Sequence, residues 1–177
     1  MMREAPEVRE AGLSEASDVA GLITALLTEL DGVPVDPAVV AANAETVLAL
    51  PSVTAFLAVA GDEAVGVLVL NECAAIYAGG VFGEVSELYV SPDWRSAGVA
   101  RLLMETAQAS GRERGWKRLE VGAPPQPDWA RTLAFYQREG FEEVGPRLRR
   151  VLLALILRRR SDLCEWNPGM SPGGVNM

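Results

Sequence analysis

Between Ser91 and Arg101 the chain reads SPDWRSAGVAR, and the residue types there suit the binding of an anion. Ser91-Pro92-Asp93 is turn chemistry, and from Ala97 the apolar residues recur at helical spacing, so a helix starts near that point. Small residues at Ser96, Ala97, Gly98 and Ala100 allow a ligand close to the backbone N–H groups of the helix entry. Unpaired amides and the helix dipole favour negative charge at such an entry. Arg95 adds a cation just before it. Arg101, one turn in, is either a second cation or a residue of a solvated face. The sequence has no Gly-Lys-Ser/Thr and no Gly-x-Gly-x-x-Gly, which disfavours a nucleoside triphosphate loop and a dinucleotide fold. A pyrophosphate cradle built of amides remains, with a tight, ligand-free helix entry as the plainer alternative.

Composition narrows the chemistry further. There is no histidine, and cysteine occurs only at positions 73 and 164. A Ser-His-Asp triad, a Cys-His pair and a His/Cys zinc site therefore cannot be built from this chain, and no metal is expected. Proton transfer has to use Glu, Asp, Tyr, Lys, Cys or water. Cys73 ends an apolar run with no base beside it, so it reads as a small buried hydrophobe. The formal net charge of -8 argues against nucleic acid or an anionic membrane as partner and favours cationic or amine-bearing ones. No apolar run reaches the length of a membrane span, and Met1-Met2-Arg3-Glu4-Ala5-Pro6 has no apolar targeting core, so the expectation is a cytoplasmic protein.

The elements that must position the loop can be placed by period and punctuation. Residues 7 to 11 predict a short first strand. Ser14 is the expected cap of a helix whose core stripe is Val19, Leu22, Ile23, Leu26, Leu27 and Leu30. Asp31-Gly32-Val33-Pro34 ends it, and Asp36-Pro37 caps a second helix running to about Leu50. Val53 to Ala60 and Ala64 to Asn71 predict a hairpin about Gly61-Asp62-Glu63. A less regular connection around Ala74 to Gly80 leads to a third consecutive strand over 84 to 90. After the cradle, Val99, Leu102, Leu103, Thr106 and Ser110 keep helical spacing to Gly111 or Gly115, and Arg118 to Val121 is a strand. This βαβ unit puts the cradle at the carboxyl end of its first strand, where open α/β sheets bind ligands. Asp128 is the expected cap of a helix over Trp129 to Glu139, ended by Gly140. Phe141 to Val144 and Leu148 to Leu157 predict further strands. The chain suits a single domain over 1–157 with a polar tail over 158–177.

Arg95, Gly98 and Ala100 match the Arg/Gln-x-x-Gly-x-Gly/Ala signature of the GNAT N-acetyltransferases. Glu87-Leu88-Tyr89-Val90 upstream and Ala134-Phe135-Tyr136-Gln137-Arg138-Glu139-Gly140-Phe141 downstream also resemble that family, in the right order. The resemblance covers roughly residues 7 to 145. It implies an α/β fold with a mixed, mostly antiparallel sheet flanked by helices, and a cleft where the fourth and fifth strands splay apart. It also implies acetyl-CoA as co-substrate and direct transfer to the amine of a small molecule or a peptide or protein. On this resemblance the amides of Ser96, Ala97, Gly98, Val99, Ala100 and Arg101 hold the pyrophosphate, helped by Arg95, and the backbone of Leu88 and Val90 pairs with the pantetheine arm. Tyr136 takes the general-acid position, with a core tyrosine as its alternative. Glu84 falls where the histone-modifying branch carries its glutamate, and Glu87 is common at its own position. On a regular strand the two face opposite sides unless a bulge intervenes, so the base stays open between them. Members often form homodimers, which the resemblance allows here.

The sequence departs from the pattern in three places. Trp129 stands where many members have asparagine, the segment after Gly145 is compressed, and the tail has no counterpart. A non-catalytic module that binds acyl-CoA or a protein partner on the same fold is therefore the alternative to an enzyme.

Overall fold

The structure is a computed structural model that describes residues 4–123 and 125–145. Its frame is one mixed sheet in the spatial order β1 (Glu7–Glu10), β2 (Val53–Ala60), β3 (Glu63–Ala75), β4 (Gly80–Val90) and β5 (Leu119–Val121). The first four strands pair antiparallel, and β4 pairs parallel with β5. Among the described residues four helices flank it: α1 (Ala16–Asp31), α2 (Pro37–Leu48), α3 (Val99–Glu113) and α4 (Ala130–Arg138). This is the expected mixed sheet, with the expected meander leading into a βαβ unit.

The alternation of the strands splits the core in two. Leu57, Val67, Val69 and Tyr89 face α1 and meet Val19 and Leu22. Leu68, Leu70, Val85 and Val90 face the other way, against Leu103 and Met104 of α3 and Tyr136 of α4. Each fully buried leucine of these layers contributes about 1.5–3 kcal/mol relative to exposure. Trp116, just after α3, wedges the second layer shut. Its indole N–H donates to Glu72 Oε2 at 2.8 Å, and a Cβ at Gly83 would lie 2.2 Å from its ring. Only glycine lets β4 run that close to the indole.

Local chemistry placed most boundaries. Gly32 ends α1 in the left-handed conformation, φ 67°, and Asp36 Oδ1 accepts from the Ala38 N–H with Pro37 as the first residue of α2. Four expectations need correction. Ser14 lies inside a three-residue 3-10 turn, Leu13–Glu15; the entry is held instead by Glu15, whose carboxylate accepts from the Gly12 N–H at 3.0 Å. Asp128 caps nothing: Trp129 is the N-cap of α4 without a side-chain bond, and the backbone closes the turn through Ala130 N–H to the Pro127 carbonyl. The irregular connection expected at Ala74 is strand, since β3 continues to Ala75 against Gly80 in a long hairpin. Phe141 to Val144 is not a strand, because none of the described strands offers it a ladder; the Phe141 N–H bonds the Tyr136 carbonyl instead. The strand expected at Leu148 to Leu157 and the tail over 158–177 lie outside the described residues. Among those residues, no helix is long and apolar enough to cross a membrane.

Candidate functional site

The site is organised by the uneven pairing of β4. Its register with β5 covers Gly83 to Val85 only, whereas pairing with β3 continues to Val90. From Ser86 onward the edge toward β5 has no described partner strand, so Leu88 and Val90 present backbone to an opening, as a splayed pair of strands requires. The Val90 carbonyl already accepts from Arg95 Nε at 2.9 Å.

The loop that follows is shaped for an anion. Ser96 and Gly98 both have positive φ, 64° and 85°. A non-glycine residue seldom adopts that conformation, and two such positions so close together bend the backbone sharply just ahead of the helix. Leu102 N–H bonds the Gly98 carbonyl at 3.0 Å, so the amides of Val99, Ala100 and Arg101 precede the first N–H that donates within the helix and are free for a ligand. Nothing lies within 4 Å of a Cβ placed on Gly98, so the approach to these amides is open. Val99 is buried and anchors the entry, while Ser96, Ala97 and Gly98 are exposed.

The two expected cations are occupied elsewhere. Arg95 forms a fork with Glu29 of α1, at 3.0 and 2.6 Å, and stacks over the Tyr89 ring. Arg101 pairs with Glu105 one turn on. A third arginine, which the sequence did not single out, reaches the loop. Arg131 of α4 donates from Nη2 to Ser96 Oγ at 2.8 Å. No local pattern gives this away, because the partners are 35 residues apart.

Both glutamates come to one face. Val69 pairs with Glu87 and Leu70 with Val85, leaving Ser86 as an extra residue on β4. Glu87 therefore sits opposite Val69 and Glu84 opposite Asn71, two positions along β3 that share the α1 face. The bulge intervenes, and the two carboxylates act on each other. Burial is the main cause that pushes the Glu87 carboxyl above its ordinary range; the Ser86 hydroxyl, which donates to it, opposes this, and the Glu84 charge adds to the rise. Cys73 Sγ is 3.9 Å from Glu84 Oε2, and Cys73 is half-buried rather than enclosed.

Tyr136 is on the opposite face of the sheet. It is buried at 6% exposure among Phe135 and Phe141, with ring centroids 5.6 and 5.7 Å away. It also lines a cavity of about 1250 Å³ that extends along β5 and α4 among the described residues. Burial pushes its phenol up to about 12, so it carries its proton throughout the physiological range. No cluster of three His, Cys, Asp or Glu side chains suited to a metal occurs among the described residues. The open amide loop and the unpaired strand edge fit a ligand with a pyrophosphate at one end and amides along its arm.

Comparison with known proteins points the same way. The profile described as "Acetyltransferase (GNAT) domain" matches residues 51–143, more than half of the chain. No curated protein matches the sequence. Among solved structures, a ribosomal-protein-alanine N-acetyltransferase from Brucella melitensis biovar Abortus 2308 is 24% identical, with a TM-score of 0.67, covering 83% of this chain and 99% of that one. A possible acetyltransferase from Clostridium difficile 630 gives 16% identity and a TM-score of 0.73, covering 85% and 99%. An aminoglycoside N-acetyltransferase in complex with CoA gives 21% and 0.67, covering 85% and 97%. At these identities the likeness establishes the fold.

Proposed function

Because the chain belongs to the GNAT acetyltransferase family, whose members use acetyl-CoA, we propose that it transfers the acetyl group directly to a primary amine of a small molecule or of a peptide or protein. The observation that carries this reading is the bulge at Ser86. It sets Glu84 and Glu87 on one face of β4, while Tyr136 belongs to the cluster packed on the other. A thioester in the opening along Leu88 and Val90 has an acid on one side and carboxylates on the other.

The division of labour follows from the environments. The amides of Ser96 to Arg101 hold the pyrophosphate, and Leu88 and Val90 pair with the pantetheine arm as an added strand would. Glu87 takes a proton from the acceptor ammonium, directly or through a water, and its raised pKa brings it toward the working pH of a base. Glu84 places a second carboxyl on that face, where the acceptor's ammonium is drawn toward Glu87. The neutral amine attacks the thioester carbon, a C–N bond forms as the C–S bond breaks, Tyr136 gives its proton to the departing thiolate, and the proton that the new amide nitrogen sheds returns through water to the Tyr136 phenolate. Two structural relatives are named for amine-bearing acceptors, an aminoglycoside and a ribosomal-protein alanine, which supports an amine acceptor here.

Purified protein with acetyl-CoA and a panel of amines tests this by release of free thiol. Release that depends on an amine supports transfer. CoA binding without release on a broad panel favours the second reading, a binding module, which draws on Trp129 at the start of α4, where no side-chain polar bond is made.

A further inference from the structure

The three arginines around the cradle differ in what compensates their charge. Arg95 is forked onto Glu29 and Arg101 is paired with Glu105. Arg131 has no carboxylate partner among the described residues; it contacts the neutral Ser96 hydroxyl on the loop itself. Resting on the reading that the cradle holds the pyrophosphate of acetyl-CoA, we propose that Arg131 is the cation of that site, gripping the pyrophosphate from the α4 side while the amides of α3 hold it from the other.

Physical chemistry calls for such a group. Amides carry only partial charge, and the chain as a whole is at -8, so an anion gains little from the general field. A guanidinium offers five N–H donors in a rigid fork that matches phosphate oxygens. Ser96 Oγ takes one of Arg131's donors, which leaves the rest for the ligand. The same bond holds the long side chain over the loop before any ligand arrives, lowering the ordering cost of binding. Ser96 is also one of the two left-handed residues of the loop, so the guanidinium is fastened to the segment that aims the amides. The motif arginine, by contrast, fastens the loop to α1.

Calorimetry on the full chain with CoA and with dephospho-CoA, which retains the pyrophosphate and lacks the 3′-phosphate, tests the assignment. Arg131→Gln should weaken both ligands by the same factor, about tenfold or more. Arg131→Lys should recover most of that loss, and both variants should melt as the wild type does. Glutamine can still bond the Ser96 hydroxyl, so wild-type affinity in Arg131→Gln would reduce Arg131 to a loop fastener and overturn the proposal. Arg131→Lys as weak as Arg131→Gln would overturn the role of charge. A loss confined to CoA would move Arg131 to the 3′-phosphate and overturn the pyrophosphate assignment. Wild-type protein that binds neither ligand defeats the acyl-CoA reading and this proposal together, whereas normal wild-type binding with an unaffected Arg131→Gln defeats this proposal alone.

Discussion

The two halves of β4 are built for different tasks. Gly83 to Val85 is paired on both edges, passes under the Trp116 indole and carries Val85 into the core. Ser86 to Val90 is paired on one edge, begins with a bulge and ends in a loop with two left-handed residues. Stability is concentrated in the first half, where both edges are laddered and the Trp116 ring packs on Gly83. On the proposed reading, binding is concentrated in the second, whose edge toward β5 has no described partner strand. A substitution should therefore damage mainly folding or mainly acyl-CoA binding according to which side of Ser86 it touches, Glu84 being the one proposed chemical group on the doubly paired side.

The sharpest way to break this division is at the loop. Gly98→Glu should abolish CoA binding in calorimetry by placing negative charge where the pyrophosphate belongs and straining a residue at φ 85°, while far-ultraviolet circular dichroism stays close to wild type. Retained affinity would remove the cradle from the binding half. Tyr136→Phe comes next: steady-state turnover should fall by about a hundredfold, with CoA affinity unchanged. With its phenol at about 12, Tyr136 should add no alkaline limb to the rate profile near neutral pH. Turnover unaffected by this change would make Tyr136 a core residue.

Gly83→Ala tests the folding half. Its new Cβ would meet the Trp116 ring at 2.2 Å and Leu119 Cδ1 at 2.8 Å, so urea denaturation should show a loss of about 1–3 kcal/mol. The folded fraction should bind CoA normally; a matching loss of affinity would show the halves to be coupled. Glu87→Gln should have the smallest effect on folding and the opposite sign. The carboxyl pKa of Glu87 is raised in the folded state, so its neutral form is favoured there and the associated stability is lost as pH rises through the raised value. Glu87→Gln should then be at least as stable as wild type at neutral pH, with the advantage vanishing below the ordinary carboxylate range. A destabilised variant would contradict the burial argument. In turnover, the same substitution should remove the acidic limb of the rate profile.

What the sequence made legible was local. Gly32 after Asp31, Asp36 before Pro37, and Gly61-Asp62 between two β-rich runs each act within a few residues, and each boundary stands where its chemistry put it. The helix entry at Gly98 was readable for the same reason. Side-chain partners across the fold were not. Arg95 precedes the cradle in sequence, yet Glu29, 66 residues away, takes its guanidinium, and Arg131 arrives from a helix whose sequence marks it only as an exposed cation. The Ser86 bulge was equally hidden, because alternation within one strand does not reveal the register of its neighbour. Asp128 failed as a cap because the turn from Pro127 closes through backbone bonds alone.

The bulge also has a consequence of parity. Ser86 works as a one-residue frameshift in β4: upstream of it odd positions face α3 and α4, and downstream even ones do, as Val85 and Leu88 show. Deleting Ser86 would leave a strand of uninterrupted alternation in which one half must be turned over. If the loop and the Glu87 half stay in place, Val85 turns toward α1 and Glu84 is driven against Leu103 and Met104, a charge buried without a partner. One residue with a small hydroxyl side chain thus keeps two out-of-phase segments compatible with a single core.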